Sequence, residues 1–300
     1  MCGIVGLFLK DKSLEPKLGE LLADMLVTMT DRGPDSAGIA IYGPASGRTK
    51  MTLQSPHPEK DFAGLEADLA AAGIDASVTV KSTHAVVDAD GDASALRDLL
   101  AAKRPDIRIM GTGDSVEIYK EVGLPRDVVA RFGVRAMGGS HGIGHTRMAT
   151  ESAVTTLGAH PFSTGADQCL VHNGSLSNHN NVRRELVGEG MRFETDNDSE
   201  VAAAYLTARM AKGKDLGEAL RGALDDLDGF YTFVVGTKTG FGVLRDPVAC
   251  KPAVMAETDQ YVAFGSEYRA LATLPGIETA RIWEPEPATV YFWDHEKAAA

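Results

Sequence analysis

Apolar residues in this chain fall into strand-length runs and helically spaced sets. The opening CGIVGLFL is a continuous apolar run, which predicts a strand buried on both faces. Residues 16–30, PKLGELLADMLVTMT, place apolar side chains at helical spacing with Pro16 near the start, which predicts a helix. The turn-rich DRGPDSAG follows, then a short strand, IAIY. Residues 61–72 and 93–103 read as helices; VTVKSTHAVV between them and IRIMGTG after them read as strands. The stretch from about 44 to 137 is therefore expected to be an α/β excursion carrying little chemistry. Beyond it apolar strands and glycines return in HGIGHTR, CLVHNGSL, GFYTFVVGT, FGVLRD, YVAFGSE and ATVYFW. Helices are expected among them at 179–188 and 198–211. Many strands with a few long helices predict a mixed, largely antiparallel α+β architecture.

Composition narrows the function classes. The chain has 300 residues, 44% of them hydrophobic and 24% charged, which is ordinary for a globular protein with a substantial core. Its net charge of −12 argues against nucleic acid or an anionic membrane as partner. No segment approaches the roughly 18 apolar residues that span a bilayer, and no basic region precedes the apolar start, so no signal peptide is expected. Cys2, Cys169 and Cys250 are sparse and widely spaced, which suggests neither a disulfide framework nor a thiolate zinc site. A cytoplasmic location is expected, where Cys2 stays reduced.

Cys2 raises the first chemical question. Removal of Met1 would leave a residue carrying both a thiol and an α-amine, a nucleophile and a base titrating near 7.7–8.0 in one place. The alternative is a buried residue that opens a strand. Arg147, past the glycine-rich GIGH, offers a rigid donor fork that fits a carboxylate, with the Thr150 hydroxyl three residues on; taken alone it reads first as a surface ion-pair residue. Asn173-Gly174 ends an apolar strand. It supplies an amide and a backbone N–H for an oxyanion, or a plain turn. Asp198 precedes an apolar periodic run and is either an N-cap or a carboxylate that receives an ammonium. DRGPDSAG, with Arg32 and Asp35, is expected to be a tight loop against the N-terminus. His145 and His172 are expected to be structural hydrogen-bonding residues, and Cys169 a buried small hydrophobe.

The order of CGIVG, RGPDSAG, GHTRMAT, HPF, VHNGSLSN and TDNDSE resembles the class II glutamine amidotransferases of the N-terminal-nucleophile hydrolase superfamily. The match runs from residue 2 to about 206, with weaker echoes in LRDPVACKP and GSEYRAL. The resemblance implies a four-layer αββα sandwich and one domain over 2–300 with an α/β insertion at about 44–137. It implies that Cys2 attacks the side-chain amide of glutamine with its own α-amine as base. Asn173 and Gly174 would form the oxyanion hole, Arg147 and Thr150 would hold the α-carboxylate, Asp198 would receive the α-ammonium, and Arg32 would support the nucleophile. Met148 and Glu151 depart from other branches at the rim of the implied glutamine pocket, which bears on the substituent of the amide.

Most relatives fuse this domain to a synthase module, and no GK[ST] phosphate loop or phosphosugar module is read here. The resemblance is to stand-alone GlxB-type subunits that accompany glutamate-synthase-like proteins, among them the amidotransferase subunit of N-methylglutamate synthase. It implies a separate synthase subunit receiving ammonia from glutamine, or methylamine from γ-glutamylmethylamide. No metal and no cofactor are expected in this chain; flavin or iron–sulfur centres would belong to partner subunits. A free-standing hydrolase for another amide and a non-catalytic assembly subunit are the competing classes.

Overall fold

The computed structural model describes residues 2–149 and 153–296. All seven residues of β1 (Gly3–Leu9) are buried. Strand alternation explains the unbroken apolar run: Val5, Leu7 and Leu9 face a core beneath helices, while Ile4 and Phe8 face a second core between two sheets. Gly6 lets the sheets approach, since a Cβ there would stand 2.8 Å from the Phe241 ring. The helix expected from residue 16 starts later. Lys12–Lys17, with Pro16, forms a 3-10 turn, and α1 (Leu18–Thr28) then buries Leu18, Leu22, Met25 and Leu26 on the outer face of the first sheet.

After β2 (Ser36–Tyr42) the chain leaves this sheet. β3 (Thr49–Gln54), α2 (Pro58–Asp61), α3 (Leu65–Ala71), β4 (Ala76–Lys81), β5 (His84–Ala89), α4 (Ala93–Lys103) and β6 (Arg108–Gly113) build a separate antiparallel sheet in the order β4-β5-β3-β6. It has its own core of Met51, Leu53, Leu65, Leu69, Leu96 and Leu100. β7 (Val116–Val122) returns to pair with β2 along its whole length, and α5 (Pro125–Phe132) buries Val128, Val129 and Phe132 in the core that α1 covers. The excursion expected over about 44–137 is therefore divided. Its separate sheet ends at Gly113, and residues 116–136 belong to the main body.

β8 (His141–Arg147) lies between β1 and β2. β9 (Phe162–Gly165) and β10 (Gln168–Leu176) begin the second sheet, followed by α6 (His179–Gly188), α7 (Asp198–Ala211), α8 (Leu216–Asp226), β11 (Gly229–Gly236) and β12 (Gly240–Arg245). β13 (Val254–Glu257), β14 (Tyr261–Gly265), α9 (Tyr268–Leu271) and β15 (Arg281–Trp283) complete the first sheet, and β16 (Thr289–Asp294) the second. The first sheet runs β15-β13-β14-β1-β8-β2-β7 and the second β16-β12-β11-β10-β9. With α1, α5 and α9 outside one and α6, α7 and α8 outside the other, the molecule is α+β, a four-layer αββα sandwich.

Candidate active site

The start of β1 is held from several sides. The Cys2 carbonyl accepts from Arg32 Nε at 3.0 Å and from Asn173 Nδ2 at 3.2 Å. One residue past the pairing with β14, Ile4 N–H donates to Ser266 Oγ, and Ser266 N–H donates to the Ile4 carbonyl, both at 2.9 Å. The Cys2 side chain is half-buried and its thiol is free. Arg32 is buried at the end of a 3-10 turn, Thr30–Arg32, and its Nη1 donates to Glu267 Oε1 at 2.7 Å. That hydrogen bond, with the Arg269 charge, holds the Glu267 carboxyl below its usual range.

The expected tight loop is present. Gly33 lies so close to β8 that a Cβ would stand 2.4 Å from the Thr146 carbonyl carbon. Asp35 N–H donates to the Arg147 carbonyl, and its carboxylate accepts from Ala149 N–H at 2.8 Å. Gly3 pairs with Thr146 across β1 and β8, so Arg147 stands one position beyond that pair, at the end where Cys2 lies. Arg147 is buried, and its Nη1 donates to the Ala153 carbonyl. Thr150 and Glu151 lie outside the described residues.

Alternation along β10 sorts the next side chains. Cys169 and Val171 enter the core between the sheets, while Leu170 and Leu176 enter the core beneath the helices. Asn173 follows the first set, which brings its amide to Cys2. His172 follows the second, toward α7. Gly174 has φ of +151°, and a Cβ there would stand 2.0 Å from the Phe230 carbonyl oxygen, so only glycine fits.

The open choice at Asp198 is resolved against the cap. Asn197 is the N-cap of α7, its side chain accepting from Ser199 N–H at 2.9 Å. Asp198 instead turns to β10, where its Oδ2 accepts from Leu176 N–H at 2.9 Å. This bond ties the start of α7 to the strand that carries Asn173 and Gly174. Beneath it lie His145, His160 and His172 with Ser199, all buried. Burial pushes His145 down to about 3 and lowers His160 and His172, so these rings are neutral near pH 7.

The structure thus puts Cys2, Arg32 and Asn173 in contact, sets Arg147 at the same end, and links Asp198 to the Asn173 strand through Leu176. Sequence reasoning passed over Glu267, Ser266, His160 and Ser199. The first two lie inside the GSEYRAL echo and the others inside HPF and TDNDSE, yet nothing in spacing says which of these residues meet in space. Among the described residues no group of three or more His, Cys, Asp or Glu is disposed to hold a metal, and no helix is long and apolar enough to cross a membrane.

A glutamine amidotransferase domain model matches residues 145–273. The glutamine amidotransferase-like protein GlxB of Rhizobium meliloti (strain 1021) is 79% identical over 301 residues, covering all of both chains. A putative glutamine amidotransferase of Methanothermobacter thermautotrophicus is 32% identical over 309 residues, covering 98% of this chain and all of that one. In fold, the chain is similar to the glutamine phosphoribosylpyrophosphate amidotransferase of B. subtilis, with a TM-score of 0.63 at 19% identity. That likeness covers 98% of this chain and 48% of the longer protein. With 79% identity to a glutamine amidotransferase-like protein over the whole of both chains, and a glutamine amidotransferase domain within it, this chain is an amidotransferase enzyme and belongs to the glutamine amidotransferase family.

Proposed function

We propose that this chain is the glutamine-cleaving subunit of a larger synthase and that Cys2, freed of Met1, is its nucleophile. The observation that carries this reading is the double hold on the Cys2 carbonyl by Arg32 and Asn173 at the head of β1. A residue that merely opened a strand would need neither. The thiol gives its proton to the α-amine, directly or through one water, and the thiolate attacks the side-chain carbonyl carbon of glutamine. An amide nitrogen carries two N–H groups. One from Asn173 holds Cys2, and the other, with Gly174 N–H, stabilises the oxyanion. Collapse breaks the C–N bond, the α-ammonium protonates the departing nitrogen, and ammonia leaves a γ-glutamyl thioester that water hydrolyses to glutamate. Arg147, with Thr150, holds the substrate α-carboxylate, and Asp198 its α-ammonium.

Residues 2–300 serve as one amidotransferase domain, into which the four-stranded sheet is inserted. These steps call for no cofactor in this chain; a flavin or iron–sulfur centre belongs to a separate synthase subunit that takes the ammonia. The reducing cytoplasm suits a free Cys2 thiol. A second reading, γ-glutamylmethylamide as substrate with methylamine delivered, rests on Met148 just past Arg147, 37% exposed and flexible enough to border an added methyl.

Intact mass spectrometry before and after exposure to 6-diazo-5-oxo-L-norleucine tests the mechanism. The expected result is a chain lacking Met1 that gains one adduct, which is lost in Cys2→Ala. A chain that retains Met1 when isolated from its native cell overturns it. Ammonia and methylamine release from the two amides, measured with the partner subunits present, separates the two substrates.

A further inference from the structure

The cluster under Asp198 is polar where the core could be apolar, and its protons can be assigned. Ser199 Oγ lies 2.9 Å from His160 Nε2, 2.9 Å from His172 Nδ1 and 3.3 Å from Asp198 Oδ1. His145 Nε2 lies 3.1 Å from the His172 carbonyl and its ring stacks on His160 at 4.0 Å. Each neutral ring has one donor nitrogen and one acceptor nitrogen. On these three rings the buried nitrogens with no partner among the described residues are His145 Nδ1, His160 Nδ1 and His172 Nε2. A stranded buried N–H costs more than a stranded lone pair, so the protons sit on the partnered nitrogens. His160 and His172 then both donate to Ser199 Oγ and occupy its two lone pairs. The single hydroxyl proton has one direction left, toward Asp198 Oδ1. The negative charge there, 3.7 Å from His172 Nδ1, favours the same tautomer of His172.

We propose that Ser199 is a positioning residue for amino-acid recognition: clamped by His160 and His172, its hydroxyl fixes the carboxylate of Asp198 for the substrate's α-ammonium. This rests on the role given above to Asp198. Oδ2 is fixed by Leu176 N–H and Oδ1 by Ser199, so the carboxylate cannot rotate away from β10. Its negative charge is kept unshared by any cation of the cluster, since the three rings are neutral. The ammonium group of the substrate becomes the counter-ion.

The test needs no partner subunit. Cys2 alkylation rates are measured by intact mass with 6-diazo-5-oxo-L-norleucine and with the same diazoketone lacking the α-amino group. Their ratio reads recognition of the ammonium alone and is insensitive to the fraction of folded protein. Ser199→Ala is expected to lower the ratio about tenfold, the loss of one hydrogen bond to a charged group. Ser199→Thr, which keeps the hydroxyl, is expected to retain it, and Asp198→Asn to lower it at least as far as Ser199→Ala. An unchanged ratio in Ser199→Ala beside a lowered one in Asp198→Asn overturns the role of Ser199 and leaves that of Asp198 standing. An unchanged ratio in Asp198→Asn removes the role of Asp198 itself. If Ser199→Ala does not accumulate as folded protein, Ser199→Cys, nearly isosteric and a weak donor, gives the same comparison.

Discussion

Arg32 shows what a side chain's shape contributes at the nucleophile. Its Nε reaches the Cys2 carbonyl while its Nη1 reaches Glu267, two directions that a planar fork serves at once. Lysine has the charge but a single nitrogen at the end of a flexible stem. Arg32→Lys is therefore expected to keep the ion pair and release the Cys2 carbonyl, slowing diazoketone labelling about tenfold or more while the melting temperature changes little. Labelling at the wild-type rate would show that Asn173 alone orients Cys2. Gly174 makes the opposite point, because there the requirement is the absence of a side chain. Gly174→Ala must place a Cβ against the Phe230 carbonyl at a φ that alanine rarely adopts. A loss of about 2–3 kcal/mol in urea unfolding is expected, with labelling of Cys2 reduced in the protein that remains folded. At this scale the sequence was legible in residue type and silent on partners. Asp198 offered a cap or a ligand, and only the neighbouring Asn197, which takes the capping bond, removes the cap. His172 was readable as a hydrogen-bonding residue, but its partner Ser199 belongs to another element and has no pattern of its own.

Three of the expected helices were legible to the residue. The helices expected at 93–103, 179–188 and 198–211 are α4, α6 and α7. α5 and α8 carried end signals that went unused: Pro125 at the first turn and Gly133 after the last, and the Asp215–Glu218 capping box. The inserted region was overextended because β7, VEIYKEV, alternates like a half-exposed strand and gives no sign that it pairs with β2. Such long-range pairing is topological information that local pattern lacks. The element that fixes the true boundary is a single side chain. Asp167, buried at the start of β10, accepts from the backbone N–H groups of Asp114, Ser115 and Val116 and from the Ser115 hydroxyl. It thereby clamps the turn where β6 leaves the inserted sheet and β7 enters the main one. Asp167→Ala would strand several N–H groups, at about 1–3 kcal/mol for each that stays buried. Urea unfolding is expected to show a loss of about 3 kcal/mol or more, and a loss below about 1 kcal/mol would mean that water replaces the carboxylate there.

The molecule holds its fully buried histidines neutral, which sets how it meets acid. Burial lowers His84, His141 and His145 to about 3, and lowers His160 and His172 as well. In the unfolded chain the same rings titrate near 6.5. Between pH 6.5 and 3 the unfolded state therefore binds more protons than the folded state, and stability falls as pH falls. The contribution is complete above about pH 6.5 and is lost progressively below it. Each ring gives a limiting slope of about 1.4 kcal/mol per pH unit, so the three at about 3 give about 4 kcal/mol per unit. Against a domain stability of about 5–15 kcal/mol, that slope removes about 6 kcal/mol by pH 5, enough to unfold a domain at the lower end of that range before most carboxylates protonate. The chain's net charge of −12 does not counter this, because its acidic groups begin to titrate only lower on the scale. Urea unfolding followed by circular dichroism from pH 7 to 5 is expected to show a steep loss of stability, with protons taken up on unfolding. His141 offers the cleanest control. It stacks on Tyr42 at 4.1 Å and donates through Nε2 to the Thr237 carbonyl, on the first sheet at the end opposite Cys2. His141→Gln, which keeps a donor and cannot charge, is expected to reduce the slope by about 1.4 kcal/mol per unit. A slope unchanged in that variant, or stability flat from pH 7 to 5, would mean that the buried rings take up protons in the folded molecule.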